Sequence, residues 1–260
     1  MKKLWLLGIV LFFAHSVWAE EDDEDYSWSY YAGVSGGVNI NAGQMNQILS
    51  FENEGVFTAI PEANFDTDET SAIGQIQLGA GLSNEYFYWG AELSGQLFNG
   101  DFDAVTSDFT QTTFPSEHQQ IKDTSQLSLN DFELALDFKP GFYLFKETLL
   151  YARIGVAVNE LTLEQSGFAT IESTDPGDVK IQTHSSTSKN VYPFRLGLGI
   201  ERYFSEDFSI VMDYVYTQYE NISTSTHAKQ TTPPLSTLDA YSEATDISRQ
   251  TVMLGFNYYL

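Results

Sequence analysis

Apolar and polar residues alternate with a period of two in eight stretches, the spacing of strands that present one apolar face. Tyr30, Ala32, Val34, Val38 and Ile40 share a face, and Ile76, Leu78, Ala80 and Leu82 stand opposite Gln75, Gln77, Gly79 and Gly81. The pattern returns over residues 87–97, 132–144, 150–158, 192–200, 208–216 and 252–260. Three connections between these stretches are tight (83–86, 145–148, 204–207) and four are long, roughly 41–71, 99–124, 164–189 and 220–245. Short connections at one end and long loops at the other are the plan of an up-and-down membrane barrel. Pieces such as 51–60 and 108–114 could lengthen the hairpins beyond the bilayer or add a strand pair.

Periodicity alone does not say which face looks out. The polar face carries Glu92, Glu133, Asp137, Arg153, Arg195, Glu201 and Asp213 in mid-strand, which suits a lumen. The apolar face carries aromatics near the strand ends, which suits an interfacial girdle. Both point to an all-β, up-and-down antiparallel transmembrane β-barrel. No internal stretch reaches the ~20 apolar residues of a membrane helix.

The N-terminus adds export. Lys2 and Lys3 precede an apolar run over 4–13, and Val17-Trp18-Ala19 ends in a cleavage-site pattern. Residues 1–19 therefore read as a cleaved signal peptide. Residues 20–25 are six consecutive acids, a disordered tail by charge repulsion, and 26–260 form the barrel domain.

The closing stretch Thr251-Val-Met-Leu-Gly-Phe-Asn-Tyr-Tyr-Leu260 ends the chain inside a strand. Val252, Leu254, Phe256, Tyr258 and Leu260 resemble the C-terminal assembly signal of bacterial outer-membrane barrels, with Leu260 where Phe is usual. Lys139-Pro140-Gly141-Phe142 and residues 150–156 also resemble the opacity-type porin family, the eight-stranded barrels akin to outer-membrane protein A. The resemblance covers roughly 26–260. It implies eight strands, short periplasmic turns, four long extracellular loops and a Gram-negative outer membrane. Implied roles are surface adhesion, envelope integrity or weak pore formation. Implied partners are outer-membrane lipid and lipopolysaccharide, the outer-membrane assembly machinery, and a host or surface partner reached through the loops.

An eight-stranded interior is just wide enough for side chains to fill. The lumen charges are expected to pair, Asp137 with Arg153 and Arg195 with Asp213, because a lone buried charge is costly. Five to six carboxylates face only two arginines and Lys139 in this reading, so some carboxyls are protonated or water enters. A side-chain plug is the first reading and a narrow cation-preferring pore the alternative.

A formal charge of −24 excludes a phosphate-backbone binder, so no nucleic acid is expected. With no cysteine there is no disulfide framework, thiolate metal site or Cys nucleophile. Most acids lie in the tail and the long loops, where only Lys122, Lys180, Lys189 and Lys229 are basic. That negative surface either keeps the protein soluble and apart from its neighbours or binds divalent cations or a basic partner. His118, His184 and His227 fall in three different loops, a weak metal candidate, and no cofactor is expected. After cleavage His184-Ser185-Ser186 is the only adjacent His/Ser cluster, too little for the rim hydrolase that forms a third reading. The protein is expected not to be an enzyme.

Overall fold

The structure is a computed structural model. It describes residues 26–53, 56–102, 104–114, 117–172, 179–230 and 236–260. The expected signal peptide and acidic tail lie outside the described residues.

Among the described residues twelve strands follow one another: β1 (Ser27–Asn53), β2 (Val56–Ser83), β3 (Phe87–Phe98), β4 (Val105–Phe114), β5 (Glu117–Leu129), β6 (Phe132–Phe145), β7 (Thr148–Glu172), β8 (Val179–Val191), β9 (Phe194–Tyr203), β10 (Phe208–Gln218), β11 (Ile222–Gln230) and β12 (Ser236–Tyr259). Antiparallel ladders join β1, β2, β3, β6, β7, β9, β10 and β12 in that order, and β12 pairs back with β1. The ring therefore closes on eight staves, which removes the sheet edges that hydrocarbon cannot solvate.

The tight turns have local chemical causes. Asn84 Oδ1 accepts hydrogen bonds from the backbone N–H of Tyr86 (2.9 Å) and Phe87 (2.7 Å), a side chain standing in for a backbone turn. Ser205 Oγ does the same for Phe208 N–H at 3.2 Å. β1 starts at this end, with Ser27 opposite Ser83.

The described residues of the four long connections are mostly strand. β1, β2, β7 and β12 have 27, 28, 25 and 24 residues, against the ~9–11 that cross a bilayer. Beyond the ring, β5 and β8 pair with the upper part of β7, β4 with β5, and β11 with β12. Among the described residues no ladder joins β2 to β4 or β8 to β11. The cylinder therefore splits above the ring into two four-stranded sheets, β2-β1-β12-β11 and β4-β5-β7-β8. We call these the head and the closed ring the band.

Polarity inverts where the cylinder splits. In the band Ile154, Val156 and Val158 of β7 face out and Arg153 faces in. In the head of the same strand Glu160, Thr162 and Glu164 face out, while Leu161 and Leu163 are fully buried. Residues from both sheets fill the head: Met45, Leu127, Leu163 and Ile247 nearer the band, and Leu49, Ile121, Ala169, Ile181, Leu238 and Ala240 nearer the tip. Breaks cluster at the border. Asn130 Oδ1 caps the β5/β6 break. Pro193, which has no N–H to donate, sits between β8 and β9 and accepts from Ala157 N–H through its carbonyl. On β12 Asp246 adopts φ 52°, one of the few residue types that tolerates the left-handed region, where the β1 register shifts.

Candidate functional site

The lumen of the band holds the charges. Among the described residues five carboxylates (Glu92, Glu133, Asp137, Glu201, Asp213) and four cations (Lys139, Arg153, Arg195, Arg249) are buried in it. They are arranged in three layers.

Arg153 of β7 is the hub of the middle layer. Its Nη2 lies 2.5 Å from Glu92 Oε1 of β3 and 2.6 Å from Asp137 Oδ2 of β6, and its Nη1 lies 2.8 Å from Asp213 Oδ2 of β10. In an eight-stave ring β3 and β10 stand opposite each other, so one guanidinium ties the barrel across its diameter. Lys139 Nζ meets Glu92 at 3.0 Å and lies 4.2 Å from the centre of the Tyr151 ring. Tyr31 donates to Glu92 and Tyr151 to Asp213, both at 2.7 Å. Glycine makes room for these rings: a Cβ on Gly79 would sit 2.1 Å from Tyr31, and one on Gly199 would sit 2.3 Å from Tyr151.

Nearer the head, Glu133 of β6 accepts from Arg249 of β12, from Tyr219 at 2.8 Å and from Asn159 at 3.3 Å, with Arg195 at 3.5 Å. β6 and β12 are also opposite staves. Arg249 stacks 4.2 Å above the Phe98 ring. Nearer the tight turns Glu201 has no buried cation among its hydrogen-bond partners. It accepts from Ser209 (2.5 Å), Tyr259 (2.6 Å) and Asn257 (2.9 Å). Gln77 bonds Asn257 and carries this layer across to β2.

Asp137 and Arg153 meet as the sequence suggests; Arg195 and Asp213 do not. Arg195 lies opposite Thr217, and Asp213 opposite Gly199. The two are four positions apart along the ladder, so Asp213 turns to Arg153 and Arg195 to Glu133 and Asp137 (3.5 Å). Sequence reasoning also missed Arg249. It lies two residues before Thr251 on the same face, so extending the last alternating stretch by one step finds it. With Arg249 counted, the lumen charges nearly balance.

Val252, Leu254, Phe256, Tyr258 and Leu260 form the outward face of β12. Leu260 N–H donates to the Tyr30 carbonyl at 2.9 Å, so the terminus is paired to the end. Trp28, Phe87, Trp89, Phe142, Phe208 and Tyr258 ring the outside near the tight turns, and Phe132, Tyr192, Phe194 and Tyr214 near the head. These two aromatic girdles bracket the band.

In the head His184 Nδ1 lies 3.1 Å from Ser166 Oγ rather than against Ser185, whose hydroxyl bonds Thr224 at 2.7 Å. His227 pairs with Asp239 on the neighbouring strand. The His118 side chain lies outside the described residues. Lys189 meets Glu220 at 2.5 Å on the surface. Asp123 is the one buried carboxylate of the head among the described residues. It is buried, and burial pushes its carboxyl up to about 6 against the opposing hydrogen bonds of Gln165 and Thr124.

The family model for an outer membrane protein beta-barrel domain matches residues 7–259. The chain belongs to that family. It is accordingly a bacterial outer-membrane barrel. The chain is similar to the solved structure of Ail, the attachment invasion locus protein of Yersinia pestis (14% identity, 86% of this chain and 99% of that one, TM-score 0.32). It is also similar to OprG of Pseudomonas aeruginosa (12% identity, 88% and 95%, TM-score 0.34) and to the outer membrane protease OmpT of Escherichia coli (9% identity, 94% and 99%, TM-score 0.29). No curated protein matches the sequence.

Proposed function

We propose that this barrel is a non-conducting membrane anchor that holds a rigid β-sheet head clear of the surface for contact with a partner, in adhesion or envelope integrity. The observation that carries this reading is the cross-lumen bridging by Arg153 and Arg249, which places ion pairs where a conduit would run. Buried charges in such a network are held by several partners at once, and opening it would strand carboxylates at a cost of several kcal/mol each. A cation-preferring pore needs acidic groups free to meet ions. Here four of the five lumen carboxylates are engaged by protein cations.

The head fits presentation. Two sheets sharing a packed interior hold side chains at fixed spacing, which mobile loops do not. Its contacts include lipopolysaccharide at the rim and a surface partner at the tip, with delivery to the membrane through the assembly machinery and the C-terminal strand. Catalysis is not part of the proposal. His184 sits on an exposed strand, and no carboxylate hydrogen bond orients it among the described residues.

Planar-bilayer recording of the purified protein tests the anchor reading, with silent membranes expected. Reproducible single-channel steps lost when Glu92 and Asp213 are neutralised would establish the pore instead. Replacing the hairpins beyond the band with tight turns should abolish binding to cells or matrix, whereas lumen substitutions should leave it intact.

A further inference from the structure

A polar layer lies between the two apolar clusters of the head. Asp123 and Ser125 on β5, Gln165 on β7 and Ser242 on β12 point into this layer, and each is fully buried. The four are contiguous. Gln165 Nε2 donates to Asp123 Oδ2 at 2.8 Å, Gln165 lies opposite Ser125 in the ladder, and the Ser125 and Ser242 hydroxyl oxygens are 2.5 Å apart.

Two oxygens in the layer are orphaned. Asp123 Oδ1 and Gln165 Oε1 are buried and have no hydrogen-bond partner. While the carboxyl is ionised both are acceptors, and neither then satisfies the other. The carboxylate also lacks a counter-charge: the buried lysine and arginines among the described residues (Lys139, Arg153, Arg195, Arg249) all lie in the band, and Lys122 of β5 faces out. An ionised carboxylate without a partner in an apolar interior is strongly disfavoured. A bridging water would donate to both orphaned oxygens but would leave the charge in place. A hard cation answers both needs, because such ions take oxygen ligands only, carboxylate, amide carbonyl and hydroxyl among them.

We propose that Asp123, Gln165, Ser125 and Ser242 form a buried site for one hard cation, sodium or calcium. β5 and β7 belong to one sheet of the head and β12 to the other. The ion therefore joins the two sheets above the point where the cylinder splits, and binding stiffens the head.

Limited proteolysis of the full-length chain, folded into detergent micelles, tests the site in calcium chloride, sodium chloride or choline chloride at matched ionic strength. Choline is too large to enter and serves as the control. Cleavage within the head should slow about tenfold at a cation concentration ten times Kd, as mass action gives for a ligand bound only to the closed form. Protection by calcium alone assigns calcium, and equal protection by sodium assigns sodium. D123N should lose the response, and Q165L, which keeps the charge but removes a neutral ligand, should weaken it. A double D66N/D68N change of exposed acids should keep it. A cation response no greater than that of choline in the parent protein would overturn the proposal, leaving a bridging water only. An undiminished response in D123N and Q165L would equally overturn it by moving the effect to the acidic surface.

Discussion

The band and the head are built from the same strands and obey opposite rules. Along β7 the outward positions run Ile154, Val156, Val158 and then Glu160, Thr162, Glu164, while the inward ones run Arg153, Asn159 and then Leu161, Leu163. The ladder continues without a change of phase, so the same geometric face passes from apolar to polar. A strand has no intrinsic inside. Hydrocarbon around the band rewards apolar residues outside, and a closed ring too narrow for bulk water then demands paired charges within. Water around the head reverses the first requirement, and two facing sheets meet the second with an apolar core. Breaks at Asn130, Pro193 and Asp246 fall at the border because the closed ring must there become two open sheets.

The largest expected effect lies in the lumen. R153A should destabilise the folded barrel by about 3–5 kcal/mol, since it leaves Glu92, Asp137 and Asp213 without their shared cation. Urea unfolding from lipid vesicles measures this, and a shift no larger than that of a surface lysine change would contradict the plug. In the head L163A should cost about 2–5 kcal/mol by leaving a cavity. That loss should be local: faster proteolysis of the hairpins with an intact gel-mobility shift of the band. Global unfolding at the same denaturant concentration would mean that the two regions are one cooperative unit.

Charges on the outward face sharpen the contrast. I154R should cost about 2–4 kcal/mol because it places a cation in lipid, whereas T162R, eight positions on along the same face, should change stability by about 0.5 kcal/mol or less. Similar costs at both sites would erase the border. Smallest of all, K189A should be worth about 0–1 kcal/mol, since its pair with Glu220 is solvent-exposed on both sides.

The band was legible in the sequence because its alternation is strong and its two faces differ sharply. Each alternating stretch lies within or at the edge of a band strand with its apolar face out, as residues 132–144 in β6 show. Apart from pieces such as 51–60 and 108–114, the head was not legible as strand, for two reasons. Its alternation has the reverse sense, so Leu161 and Leu163 look like a strand out of register with the band. Its outward face is also rich in Ser, Thr and Gln, the composition of loops. The lumen network was legible in its members and less so in its pairing. Asp137 and Arg153 lie near each other across one tight turn, but Arg195 and Asp213 needed a register count. Partners on opposite staves, such as Glu133 with Arg249, leave no trace in local spacing.

The chain contains no cysteine, so single cysteines can be placed at will along β7. A solvent-sensitive fluorophore attached in turn at positions 154, 156, 158, 160, 162 and 164, in vesicles, reads the border directly. Quenching by a lipid-borne agent at 154, 156 and 158, switching to quenching by a water-soluble agent from 160 onward, is the predicted result. Lipid quenching that persists through 164, or aqueous quenching already at 154, would contradict the inversion of polarity along one strand.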